Sequence, residues 1–246
     1  MAVDEVLADS AAELGQCSLR FYQWFAPTLS LGYFQPFALR EEHCASAELS
    51  IVRRASGGGA IVHDRELTYS LAVPVAHPLV SDAMRLYNTV HESLIATLAK
   101  WKIAAHRNVA PSGLPPHQEP FLCFVRRSPG DVMLSSAKIC GSAQRRRRGA
   151  IVQHGSVLLQ RSPAAVELPG IAELTGIQLD FHFEGGHDGR VTTIITVQVA
   201  RHRTEVSAGT HQHRRLDFVV DDPLFIASAH VGNRLAAPQM GGRALQ

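Results

Sequence analysis

Paired cysteines are what this sequence most plainly lacks. The four it has, Cys17, Cys44, Cys123 and Cys140, are dispersed without CxxC spacing. Neither a zinc site nor a disulfide framework is suggested, and reduced thiols are expected. Charge is sparse as well, at 19% of residues with a formal net charge of +2, which excludes a disordered polyelectrolyte and a generally nucleic-acid-seeking surface. Long apolar runs are missing too. Stretches such as residues 194–200 fall far short of the roughly 18–20 residues needed to cross a bilayer, and Met1 leads into an acidic amphipathic segment. No membrane span or signal peptide is read, and a cytoplasmic location is expected. No internal repeat is visible. What remains is a chain of 246 residues, 46% of them hydrophobic, enough for a substantial core.

Hydrophobic periodicity predicts a short helix over residues 2–14, with Val3, Val6, Leu7 and Leu14 near one face. Residues 19–25 and 28–33, rich in aromatic and apolar side chains around Ala26-Pro27, suggest two strands forming a hairpin. Strands over 51–54 and 67–73 flank a glycine run. Ser81 is read as the N-cap of a long helix, followed by Met84, Tyr87, Val90, Leu94, Ile95, Leu98 and Trp101 at three- and four-residue steps. Five residues of the stretch 108–120 are proline or glycine, which disfavours helix and central strand alike and predicts a surface loop. Strands are expected over 131–134, 137–140, 150–152 and 155–159. Residues 173–183 and 191–200 suggest a further pair of elements, and 201–215 has no clean period.

Two segments concentrate the chemistry. The first runs Arg53-Arg54-Ala55-Ser56-Gly57-Gly58-Gly59-Ala60-Ile61-Val62-His63-Asp64. Its glycines would let backbone amides approach a ligand, and no Gly-Lys-Ser or Gly-Lys-Thr follows, so a Walker-type nucleotide loop is not supported. Taken alone, a ligand cradle and a tight turn fit it equally. The second is Lys138-Ile139-Cys140-Gly141-Ser142-Ala143-Gln144, then four arginines, then Gln153-His154-Gly155-Ser156. A lysine in a strand of small residues seldom points inward without an anion or carbonyl to meet.

In this order the two segments resemble the biotin/lipoate protein ligase catalytic family, which includes lipoate–protein ligases and octanoyltransferases. The likeness covers roughly residues 1–160. It implies an α/β (α+β) catalytic domain, a mixed and mostly antiparallel sheet flanked by helices, expected here over residues 1–200 with a poorly defined extension over 201–246. The family usually has a strand and a short loop ahead of its first helix, which here begins at Met1; if the start is incomplete, a sheet edge would lie exposed. Ligases usually continue His-Asp with x-Gly-Asn, where this chain has His63-Asp64-Arg65-Glu66, and this chain carries Ser142-Ala143-Gln144. Both details are similar to the cysteine-dependent octanoyltransferases, which also place a nucleophilic cysteine before a phenylalanine ahead of the lysine strand. Cys123-Phe124 stands there.

The resemblance implies catalysis by Cys123 and Lys138. Arg54, Ser56, Gly57, Gly58, Gly59, His63, Gly141 and His154 would shape the acyl pocket or its mouth. Cys123 would take an octanoyl group from acyl carrier protein and pass it to a lysine of glycine-cleavage H protein or another lipoyl domain, with no cofactor and no metal. A cation such as Lys138 would enlarge the thiolate share of a nearby thiol and stabilise charge on the acyl oxygen. The alternatives are an ATP-dependent lipoate or octanoate ligase, in which ATP and Mg would be needed and Cys123 incidental, and a non-catalytic acyl- or carrier-binding module. Cys140 is a rival nucleophile, since simple strand alternation puts it on the same face as Lys138. His63 and His154 fit satisfied core histidines as well as binding residues. Arg145 to Arg148 fit either a solvated turn or a basic edge that steers acidic carriers. His202, His211 and His213 lack the spacing of a zinc site.

Overall fold

The structure, a computed structural model, describes residues 2–110, 115, 118–184, 194–201, 213–217 and 225–227. It opens on the expected helix, α1 (Ala2–Leu14), whose Ala8 and Ala11 bury against Ala72, Ala150 and Val152 of the sheet below. Small side chains on both sides of that seam bring the helix close to the strands. Then come β1 (Cys17–Tyr22), β2 (Thr28–Leu31), β3 (Ser50–Arg53), β4 (Ile61–His63) and β5 (Glu66–Pro74). The long helix α2 (Ala83–Lys100) begins one residue later than Ser81 suggests, because the Asp82 carboxylate accepts the Met84 backbone N–H at 3.1 Å and serves as the N-cap. The chain continues through β6 (Ala105–Arg107), β7 (Val132–Leu134), β8 (Ala137–Arg147), β9 (Ala150–Leu158), the single turn α3 (Ile171–Thr175), β10 (Ile177–Glu184), β11 (Ile194–Arg201), β12 (His213–Asp217) and β13 (Phe225–Ala227).

The central sheet has the order β13-β1-β5-β9-β8-β7-β6, with every neighbour antiparallel except the parallel β1–β13 pair. This is the expected α+β arrangement of a mostly antiparallel sheet with helices. β1 pairs with β5 on one side and with β13 on the other. Leu98 and Ile103 bury with Val132, Leu134, Ile139 and Val157, with Val90, Leu94 and Ile95 packed around them, so the periodic face of α2 seals the core. Two smaller sheets, β3-β2-β4 and β10-β11-β12, complete the fold. Among the described residues no helix is long and apolar enough to cross a membrane.

Two local readings change. The strands expected to form a hairpin lie in different sheets: β1 pairs with β5, whereas β2 runs between β3 and β4. All four residues of β2 are buried, which a hairpin open to solvent on one face could not provide. Leu29 and Leu31 pack instead with Ala60, Val62 and Leu122. The three short strands expected over 137–159 are two long ones, β8 and β9. They join at Arg148-Gly149, both with positive φ (44° and 93°), as a two-residue hairpin turn matched to strand twist requires. Of the proline-rich stretch, residues 111–114 and 116–117 lie outside the described residues, as do His202 and His211, while His213 opens β12.

Candidate active site

Strand alternation sends Arg53 and Arg54, at the end of β3, in opposite directions, and both clamp backbone. Arg54 is 3% exposed. Its guanidinium donates to the carbonyls of Ser30 (2.6 Å) and Gly59 (2.6 Å) and to Ser30 Oγ (3.0 Å), fixing the glycine loop against β2. Burial pulls this guanidinium below its ordinary value, while the Cys123 sulfur and the Glu66 carboxylate oppose the shift. Arg53 donates to the carbonyls of Gly32 (3.0 Å), Tyr33 (3.1 Å) and Gln35 (2.6 Å). Gly58 has φ +93°, and a Cβ built there would stand 3.8 Å from Cys123 Sγ. Only a residue free of the left-handed penalty keeps this loop flat against the sulfur.

The Cys123 segment is tied to the same loop. Cys123 N–H donates to Ala60 O at 2.7 Å and Ala60 N–H to Phe121 O at 2.9 Å. Cys123 is half-buried, and Phe124, beside it, is buried. Lys138 Nζ lies 5.4 Å from the Phe124 ring centroid, a cation–π separation. The same ammonium stands 2.9 Å from Asp131 Oδ2, both side chains nearly dry. Asp131 is itself held, accepting from the Ser128 N–H (2.7 Å) and the Tyr87 hydroxyl (3.1 Å). Burial and the Asp131 carboxylate push the Tyr87 phenol well above its ordinary range, so it stays a donor.

A register shift interrupts the pairing of β7 with β8 beside Lys138. Val132 pairs with Cys140 but Met133 pairs with Lys138, so β8 carries one extra residue there, a bulge. Both residues nonetheless face α2: Lys138 reaches Asp131, which Tyr87 holds, and Cys140 reaches His91, whose ring lies 4.3 Å from that of Tyr87. The Lys138 side chain lies over Gly141, where a Cβ would fall 2.4 Å from Lys138 Cε and 2.7 Å from Nζ. Cys140 is fully buried with its Sγ 3.9 Å from His91 Nε2. Burial pushes that thiol well above the ordinary range, with the Lys138 charge opposing. Cys140 is therefore held as a neutral thiol, a poor nucleophile.

A second polar cluster forms the far wall. Glu66 Oε1, almost fully buried, accepts from Thr68 Oγ1 (2.6 Å) and Ser156 Oγ (2.9 Å) and pairs closely with His63 Nδ1. Trp24 stacks on His63 with centroids 4.2 Å apart and donates its indole N–H to Thr68 Oγ1 (3.1 Å). His154 Nε2 and Ser56 Oγ are 2.8 Å apart. Burial, with the Arg54 charge adding to it, pulls the His154 imidazole down to about 4, so it is neutral at physiological pH.

These walls enclose a cavity of about 270 Å³, just under the roughly 300–1,000 Å³ usual for small-molecule sites. Cys123, Lys138, Arg54, Gly57, Gly58, Gly59, His63, Gly141 and His154 line it, beside Tyr22, Trp24, Ile61 and Phe124. Ser56 stands behind His154 rather than in the lining. Sequence reasoning missed Asp131, Glu66, Trp24 and Tyr87. A buried lysine demands a counter-charge, and Asp131, at the start of the preceding strand, was the acid nearest in sequence able to supply it. Of the arginine run, Arg147 pairs with Glu5 (3.0 Å) and Asp9 (3.7 Å) of α1, and Arg145 donates to Ala55 O (2.9 Å). Among the described residues no group of three or more His, Cys, Asp or Glu side chains is arranged to hold a metal ion.

Comparison with known proteins places the chain in one family. The sequence model described as the lipoyl protein ligase A/B catalytic domain matches residues 1–168. The octanoyltransferase LipM of Kyrpidia tusciae is 38% identical over 181 residues, which is 68% of this chain and 63% of that protein. The octanoyltransferase LipM of Carboxydothermus hydrogenoformans is 32% identical over 200 residues, 76% of this chain and 72% of that protein. The chain spans about three fifths of the length of the first curated relatives it matches. Among solved structures, a T. acidophilum protein described as a lipoate protein ligase, with bound lipoic acid, superposes with a TM-score of 0.52 at 24% identity over 70% of each chain. That likeness establishes a shared fold.

Proposed function

We propose that this chain, which belongs to the lipoyl protein ligase A/B catalytic domain family, is a cytosolic octanoyltransferase that works through a thioester on Cys123. The donor is octanoyl-loaded acyl carrier protein, and the acceptor is a lysine of glycine-cleavage H protein or another lipoyl domain. What carries the reading is that Cys123 and Lys138, fifteen positions apart in sequence, line one cavity beside the glycine loop. The curated relatives named octanoyltransferase support the substrate class.

The Cys123 thiolate attacks the donor thioester carbonyl. A carbon–sulfur bond forms to Cys123, the bond to the carrier's sulfur breaks, and the carrier leaves as a thiol after taking up a proton. The acceptor lysine, as free amine, then attacks the new thioester: the carbon–nitrogen bond forms, the carbon–sulfur bond to Cys123 breaks, and the proton the nitrogen sheds goes to the departing sulfur or to solvent. One thioester replaces another and an amide follows downhill, so no nucleotide is needed. Lys138, held by Asp131, faces the charge that develops on the acyl oxygen, a contribution on the order of 3 kcal/mol in a dry site. Ile61, Phe124 and Trp24 offer apolar wall to the tail, at roughly 0.8 kcal/mol per buried methylene.

Intact-mass analysis after mixing with octanoyl-acyl carrier protein, without ATP, tests the reading. One octanoyl adduct is expected, retained in Cys140→Ala and absent in Cys123→Ala. Product formed only with ATP, and with no adduct, would replace it with the ligase reaction.

A further inference from the structure

Beside the cavity, fastened to its glycine loop, lies apolar surface that the chemistry above does not use. Tyr33 and Phe34 form a T-shaped pair, ring centroids 5.0 Å apart, on the turn after β2, and they are 52% and 85% exposed. The turn is rigidly built. Gly32 N–H donates to Gln35 Oε1 (2.9 Å), Gln35 N–H to Gly32 O (3.1 Å), and Arg53 binds the carbonyls of Gly32, Tyr33 and Gln35. It is also fastened to the glycine loop, because Tyr33 N–H donates to Ser56 O at 2.9 Å, and a Cβ on Gly57 would meet Phe34 at 3.8 Å. Gly57 lines the cavity. From the other side Arg145 reaches the same loop at Ala55 O. Three consecutive loop residues thus join two exposed aromatics to an exposed guanidinium, with that of Arg53 at the foot of the turn. Among the described residues neither arginine is paired with a carboxylate, so neither guanidinium has a counter-charge there.

We propose that this lip, Tyr33 and Phe34 between Arg53 and Arg145, is the docking surface for the acceptor: a small acidic protein domain that presents its target lysine on an exposed turn. The assignment rests on the octanoyl-transfer reading. Rigid aromatics with flanking arginines are the side chains that carry most protein-interface energy, and uncompensated guanidiniums select carboxylates on a partner and reject basic ones. Reach selects the acceptor over the donor. A lysine amine stands only about 6 Å from its own Cα at ordinary bond lengths, so the acceptor backbone must rest against the mouth. A carrier that delivers its acyl group on a long pantetheine arm has no such need. The lip, in contact with the cavity-lining Gly57 through Phe34, meets this constraint.

The test separates docking from chemistry. Phe34→Ala and Arg145→Gln are made in the full chain, and binding of glycine-cleavage H protein is measured by titration calorimetry at low and physiological salt. In parallel, octanoyl loading of Cys123 from octanoyl-pantetheine is followed by mass. At least about tenfold weaker H-protein binding is expected for Phe34→Ala. Arg145→Gln should bind more weakly with a shallower salt dependence, and both variants should load Cys123 at the wild-type rate. H-protein binding unchanged in both variants would overturn the assignment, as would loading that falls in step with binding. Wild-type protein that binds H protein through this lip yet never acquires the adduct would refute the transfer reading and leave the docking surface standing.

Discussion

Replacing the buried Lys138–Asp131 pair one partner at a time should reveal an asymmetry fixed by what each partner keeps. In Lys138→Met the Asp131 carboxylate retains two donors, the Ser128 N–H at 2.7 Å and the Tyr87 hydroxyl at 3.1 Å. In Asp131→Asn the Lys138 ammonium loses its counter-charge at 2.9 Å and keeps only a neutral amide oxygen and the Phe124 ring, 5.4 Å away. Stranding a buried charge costs about 3–5 kcal/mol, so Asp131→Asn should lose about 3 kcal/mol, or about 6–12 °C in Tm for a chain of this size. Lys138→Met should lose roughly half as much, because hydrogen bonds to a charged acceptor contribute about 1.5–3 kcal/mol and these remain. In the double variant no ammonium is stranded, so the two losses should fail to add by about 2 kcal/mol. Urea unfolding of the four proteins at pH 7.5 measures the cycle. Losses that add to within about 0.5 kcal/mol, or a larger loss for Lys138→Met, would refute the reasoning.

Three further outcomes follow from the site. Gly141→Ala puts a methyl 2.4 Å from Lys138 Cε; overpacking of this kind costs about 1–3 kcal/mol, and single-turnover octanoyl transfer should fall far more than thermal stability does. His154, pulled down to about 4 by burial, is neutral in the fold, while the unfolded chain protonates it near its ordinary value. Its contribution is therefore full above about pH 6.5 and declines as pH falls toward 4, by on the order of 1–3 kcal/mol. Urea midpoints across pH 4–7.5 should slope downward on acidification and flatten in part in His154→Gln, with the remaining slope owed to His91, which burial shifts in the same direction. Glu66→Ala removes the acceptor of His63, Thr68 and Ser156 and should destabilise by roughly 2–5 kcal/mol, measured by calorimetric melting; a loss under about 1 kcal/mol would deny that cluster its structural part.

What the sequence made legible was local or carried by motif. The α2 stripe needed only its own periodicity, and the glycine loop with Lys138 and His154 needed only the order of residues along the chain. Pairing between distant segments was not legible. β1 and β2 each look amphipathic enough to pair with the other, and the choice of β5 for one and of β3 and β4 for the other depends on burial that no local window contains. The same holds for the bulge in β8. Alternation put Cys140 beside Lys138 as a rival, and what disqualifies the rival is burial: its sulfur is fully enclosed, 3.9 Å from His91 Nε2. Asp131 and Glu66 escaped notice because isolated acids look like surface until the fold encloses them. The arginine run was ambiguous for the opposite reason: its four residues look alike in sequence, but α1 claims Arg147 and the glycine loop claims Arg145.

The central claim is that the acyl group rests on Cys123 between donor and acceptor. Octanoyl-enzyme isolated free of donor and nucleotide, mixed rapidly with a lipoyl domain and quenched for mass analysis, tests it most directly. The octanoyl mass is expected to leave Cys123 and appear on the acceptor lysine in equal amount, at least as fast as steady-state turnover. An adduct that stays on the enzyme while turnover proceeds, or acceptor octanoylation at the wild-type rate in Cys123→Ser, would contradict it.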